Sequence, residues 1–120
     1  MVYVDDCHGE GVLGEKGAGI VDHFNLQGKV DFETGSFSKA LGVQGGILAG
    51  SEDVRNHALN HSRSWLLSGS QPPGVAAAQK AAIEVLMSEP QHHSKLWDNT
   101  DYFRKELPVS YTHLRAHETV

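Results

Sequence analysis

Apolar residues fall in short runs divided by glycine-rich or hydroxyl-rich stretches. Met1 to Val4, MVYV, stops abruptly on Asp5 and Asp6, as a buried parallel strand does at the carboxyl edge of a sheet. A core strand at the very first residue points to a chain truncated at its N-terminus. Asp5 to Gly19, DDCHGEGVLGEKGAG, carries glycines at 9, 11, 14, 17 and 19 and reads as a loop. Gly19 to Asn25 predicts a helical turn with Ile20, Val21 and Phe24 on its apolar side, and Val30 to Glu33 a second strand. That strand leads into the loop around Lys39, after which Val43 to Gly46 turns the chain into a third apolar run, Ile47 to Gly50. Ser51 is an N-cap, with Glu52 and Asp53 in the first turn of a helix reaching about His61. Trp65 to Leu67 reads as a fourth short strand. Val75 to Met87 is the clearest helix; Ser88-Glu89-Pro90 breaks it, and Pro90 opens a last helix ending near Leu107 with Leu96, Phe103 and Leu107 on its buried side. Short strands alternating with helices predict an α/β fold with a parallel or mixed sheet.

The chain's 120 residues suffice for one modest domain or part of one. A net charge of −5 without clustered Lys or Arg argues against a nucleic-acid surface. No apolar run of about 18 residues and no basic amphipathic face supports a membrane span or membrane surface. The sequence shows no signal peptide, and its single cysteine, Cys7, forms no internal disulfide, which fits a reducing, cytoplasmic setting.

The candidate chemistry centres on Thr34 to Gly42, TGSFSKALG, where Lys39 lies among Gly35, Ser36, Ser38 and Ala40. A phosphate-binding P-loop needs Gly directly before its lysine and another five positions earlier, whereas Ser38 and Thr34 stand there. Two readings remain: a Schiff-base lysine and an ordinary loop lysine. Asp5 and His8, at the carboxyl end of the first strand, are placed to face a common ligand. Asp5, Asp6, His8 and Glu10 also raise a metal-dependent hydrolase reading, weakened because alternating residues at a strand end point to opposite sides. His57 and His61 have chelating spacing but no third ligand nearby in sequence. Ser68-Gly69-Ser70 before Pro72-Pro73 reads as an anion-binding helix entrance or a plain loop.

Taken together, VDDCHGEGVLGEKGAG, VDFETGSFSKALGVQGGILAG and WLLSGSQPPGVAAA occur in the order found in the α-oxoamine synthase family of pyridoxal phosphate enzymes, which the chain resembles from Val2 to about Leu107. The resemblance implies part of the large domain of a fold type I transferase, with a mostly parallel sheet flanked by helices and pyridoxal 5'-phosphate as cofactor. It implies Asp5 at the pyridinium nitrogen, His8 at the ring hydroxyl and substrate side, Lys39 as the Schiff-base lysine and Ser36 near the phosphate. Ser68 and Gly69 match a segment that in the family's homodimer reaches the neighbouring subunit's phosphate. Where members often carry Thr or Asn, Gly69 offers only its backbone. The implied reaction condenses glycine, or another small amino acid, with an acyl-CoA. The HGEGVLGEKGAG loop and VDHF segment favour glycine C-acetyltransferase with acetyl-CoA; an 8-amino-7-oxononanoate synthase-type enzyme is the alternative, and an inactive structural remnant is the reading of a different class. Residues 1–107 then form a partial cofactor-binding domain. Pro108 to Val120, PVSYTHLRAHETV, resembles translated adapter read-through and is set apart, with His113 and His117 given no function.

Overall fold

The computed structural model describes residues 1–107, so the tail set apart at Pro108–Val120 lies outside the described residues. Three strands, β1 (Tyr3–Asp5), β2 (Phe32–Ser36) and β3 (Gly46–Gly50), form one sheet in that order. The helices are α1 (Ile20–His23), α2 (Glu52–His61), α3 (Arg63–Leu66), α4 (Pro73–Ser88) and α5 (Gln91–Glu106). β1 pairs with β2 in parallel, Tyr3 opposite Phe32 and Asp5 opposite Thr34, while β2 pairs with β3 antiparallel, Phe32 opposite Gly50 and Ser36 opposite Gly46. The α/β class expected from the alternating pattern is present, with a mixed sheet rather than a mostly parallel one among the described residues.

Two boundaries differ from expectation. Trp65 to Leu67 is not a strand: Trp65 and Leu66 lie in α3, and Leu67 caps it with its N–H donated to the Arg63 carbonyl. Three apolar residues do not distinguish the two periodicities, and Ser62 provides a helix start by accepting from Trp65 and Leu66 N–H. β2 also begins and ends later than its β-branched residues indicate, because pairing with β3 carries strand geometry through Thr34, Gly35 and Ser36.

The helix limits follow local chemistry. Ser51 Oγ accepts the Val54 N–H at 3.3 Å, satisfying a free donor of α2's first turn. Pro73 is the first residue of α4, where its missing N–H costs no helical bond, and Pro90 caps α5. The predicted inner face of α5 is exposed: Phe103 retains 58% of its surface and Leu107 37%. The contact α5 does make runs through polar atoms, with His93 Nε2 at 2.9 Å and Trp97 Nε1–H at 3.0 Å from the Val12 carbonyl. Phe37 is the one buried apolar side chain and Asp6 the one buried charged residue among those described.

Candidate active site

β1 and β2 are parallel neighbours, so their carboxyl ends meet on one edge of the sheet, where open α/β sheets take ligands. The edge is stitched by Asp6 N–H to the Thr34 carbonyl at 2.8 Å and by a 2.8 Å hydrogen bond between the Tyr3 and Thr34 hydroxyls. Asp5 ends β1, His8 follows in the glycine loop, Ser36 ends β2, and Lys39 lies in the turn beyond it. That turn is fixed by backbone bonds from Phe37 N–H to Gly45, from Val43 N–H to Phe37 and from Gly42 N–H to Lys39, with Phe37 buried beneath. Lys39 is thereby held at the edge instead of trailing into solvent on a free loop.

Lys39 Nζ and His8 Nδ1 are 3.3 Å apart, within hydrogen-bonding reach although 31 residues separate them in sequence. Ser36 and Ser38 hydroxyls are 2.7 Å apart, and Ser38 N–H donates to Ser36 Oγ at 3.3 Å. Hydrogen bonds from the Cys7 side chain and from the Cys7 N–H, the latter at 3.2 Å, hold the Asp5 carboxyl below its usual range, with the charges of Lys39 and His8 adding to them. An ionised carboxylate, a primary amine, an imidazole and paired hydroxyls thus occupy one sheet edge. This donor set suits a group with an aldehyde, a basic ring nitrogen and a phosphate.

Asp6 does not join that set. It is buried, and its Oδ2 accepts the Ile20 N–H at 2.7 Å, pinning the end of the glycine loop. Gly19, at φ +100°, has its Cα where a Cβ would collide with that carboxylate. Among the described residues no three His, Cys, Asp or Glu side chains converge as metal ligands; His57 and His61 stack on each other, ring centres 4.5 Å apart, on the exposed face of α2.

Lys39 and His8 border an open cavity of about 930 Å³ whose apolar wall is Ala82, Val85 and Leu86 of α4 and Leu96 of α5. Ser68 and Gly69 do not line it: Ser68 Oγ donates to the Trp65 carbonyl at 3.3 Å, and both residues are exposed. Sequence reasoning missed three contacts around the site. Glu10 accepts the Ser36 N–H, His93 and Trp97 clasp Val12, and Gln79 donates at 2.7 Å both to the Gln44 carbonyl and to Gln71 Oε1. All but the last join residues more than twenty positions apart, and no periodicity signals such pairs.

Residues 1–119 match the family aminotransferase class I and II, and the chain belongs to that pyridoxal phosphate-dependent family. Its relatives narrow the group to the α-oxoamine synthases. The chain is 50% identical over 107 residues to 8-amino-7-oxononanoate synthase of Alkaliphilus oremlandii and 49% identical over 107 residues to 8-amino-7-oxononanoate synthase 1 of Bacillus subtilis, covering 89% of this chain and 27% of each relative. Among solved structures, serine palmitoyltransferase of Sphingomonas wittichii superposes with a TM-score of 0.83 at 31% identity, over 89% of this chain and 27% of that one. A serine palmitoyltransferase carrying a pyridoxal phosphate internal aldimine gives a TM-score of 0.76 at 32% identity, over 82% of this chain and 25% of that one. The chain spans about a quarter of the length of the relatives it matches. None of these is a glycine C-acetyltransferase.

Proposed function

We propose that the chain carries the cofactor-binding edge of a pyridoxal phosphate-dependent α-oxoamine synthase, with Lys39 as the cofactor lysine, and that the parent enzyme is of the 8-amino-7-oxononanoate synthase type. The observation that supports this most is the 3.3 Å approach of Lys39 Nζ to His8 Nδ1 beside an ionised Asp5. The glycine and acetyl-CoA reading drawn from the loop sequence gives way here, because relatives near 50% identity make 8-amino-7-oxononanoate. That nine-carbon amino ketone divides between C7 and C8 into a seven-carbon diacid acyl group and the two-carbon amine that alanine leaves on losing its carboxylate. Alanine and the CoA thioester of heptanedioic acid are therefore the proposed substrates.

In this reading pyridoxal phosphate, when bound, supplies an electron sink for a carbanion beside the amino group. The Asp5 carboxylate, kept ionised by its Cys7 donors, holds a proton on the ring nitrogen. Ser36 and Ser38 present their hydroxyls toward the phosphate, and the Lys39 amine, once free, takes the α-proton of the amino acid with His8 in reach to exchange a proton with it. Ser68 and Gly69, exposed and apart from the cavity, contact the phosphate of the neighbouring subunit of a homodimer. The full-length protein is expected to release 8-amino-7-oxononanoate from alanine and heptanedioyl-CoA with a kcat/KM at least about tenfold above that for glycine and acetyl-CoA, a ratio equal to about 1.4 kcal/mol. Equal or reversed preference in a mass-spectrometric product assay would return the acetyltransferase reading.

A further inference from the structure

Glu10 belongs to none of the roles above, yet it spans both halves of the site. Its backbone is pinned by an N–H bond to the Asp6 carbonyl at 3.2 Å and by an isolated antiparallel bridge to Ala18. Its side chain crosses 26 residues of sequence, and Oε2 accepts the Ser36 N–H at 3.0 Å. Strand geometry explains why an acceptor is needed there. β1 stops at Asp5 opposite Thr34, with Asp6 N–H taken by the Thr34 carbonyl, so Ser36 N–H points to the same side of β2 two residues beyond the last β1 pair. No strand residue remains to receive it, and a buried backbone donor without a partner is costly. The Glu10 carboxylate takes the place of the missing strand residue. Gly35 is shaped to it, because a Cβ at that position would overlap the carboxylate.

We propose that Glu10 is the positioning residue that sets the approach of Lys39 to His8, by locking the glycine loop that carries His8 to the strand end that carries Ser36 and Lys39. Two residues before Glu10 stands His8; three residues after its acceptor contact stands Lys39. The lock therefore lies within three residues of each reacting group. Burial raises the Glu10 carboxyl, and nearby Asp6 raises it further against the opposing Ser36 N–H. Glutamine keeps an acceptor oxygen at the reach of Glu10 Oε2 and removes only the carboxylate's charge, which makes it the informative replacement. The inference rests on Lys39 being the cofactor lysine.

The test is pyridoxal phosphate capture in the full-length protein, read as the half-saturating concentration for borohydride-fixed cofactor on the Lys39 peptide by mass spectrometry. E10A is expected to raise that concentration about tenfold or more, the loss of one hydrogen bond to a charged acceptor. E10Q, which retains an acceptor oxygen at the same reach, is expected to stay within about threefold of the parent. Wild-type capture in E10A overturns the proposal, as does E10Q falling as far as E10A. Should E10A fail to fold, E10D decides, since it keeps the charge but shortens the reach by one methylene: weakened capture with an unchanged unfolding midpoint supports positioning, and unchanged capture overturns it. Absence of cofactor on Lys39 in the unmodified protein overturns the functional reading itself, and the positioning role with it, a result distinct from capture that survives in E10A.

Discussion

Asp5 shows how one residue's neighbours decide what its charge is available for. It ends β1 fully at the sheet edge, and its carboxyl is held low first by the Cys7 side chain and then by the Cys7 N–H. The same contact raises the Cys7 thiol above its ordinary value. Removing the thiol lets the Asp5 carboxyl climb toward its ordinary value of 3.8, so the ionised form persists over a narrower acidic range. Cys7→Ala in the full-length protein is accordingly expected to move the acidic limb of the kcat/KM profile to higher pH, while Cys7→Ser, which keeps a donor, leaves it in place. Identical limbs in the parent and Cys7→Ala would show that the thiol does not govern Asp5. At this scale the sequence is informative where chemistry is local: Asp5, His8 and Lys39 stand out by their positions at strand ends and in small-residue company. Glu10 does not, since its acceptor role exists only once β1 has stopped at the pair opposite Thr34, two residues before Ser36.

Elements were legible in proportion to their length and their punctuation. Sixteen-residue α4 and α5 and ten-residue α2 announce themselves through Pro73, Pro90 and Ser51, and their limits fall within two residues of expectation. Four-residue α3 does not, because Trp65-Leu66-Leu67 carries no period long enough to separate helix from strand. What α5 packs against was also hidden: its strongest tie is the pair of donors on the Val12 carbonyl, 81 and 85 residues away. The pair is redundant by construction, since a carbonyl has two lone pairs and either partner alone satisfies it. Trp97→Phe keeps the ring and loses one donor, so the expected cost in the urea midpoint corresponds to about 1 kcal/mol or less. Adding His93→Ala leaves the half-buried carbonyl without either partner, and the double variant is expected to lose more than the two single changes sum to, by about 1 kcal/mol. A strictly additive double-mutant cycle would mean that the clasp does not act as a unit.

For the molecule as a whole, the apolar faces of α3, α4 and β3 are open, with Leu67 at 82% and Met87 at 77% of full exposure, so hydrophobic burial within the described residues is thin and carboxyl groups weigh heavily in its balance. Three of these groups share the space under the glycine loop. Glu33 is raised by burial and by Asp6 and Glu10, and Glu10 by burial and Asp6. A carboxyl raised above its unfolded value of 4.5 binds its proton more readily when folded, so between 4.5 and the folded value stability falls as pH rises, and the full penalty is present at neutral pH. Asp5 has the opposite sign: its contribution is present above 3.8 and is lost as pH drops through its lowered value. The two windows do not overlap, one lying above 4.5 and the other below 3.8, so together they place these groups' greatest stabilisation in the narrow interval between. Both glutamates are largely within reach of solvent, which keeps each effect small and makes the difference between variants the useful quantity. Urea midpoints of the full-length protein taken from pH 7 down to pH 4.5 are expected to climb less steeply in Glu33→Gln than in the parent. The variant removes one of the two titrating groups and leaves Glu10, raised by its own burial and by Asp6, to titrate as before. Parallel curves for the two proteins would mean that the Glu33 carboxyl titrates alike folded and unfolded.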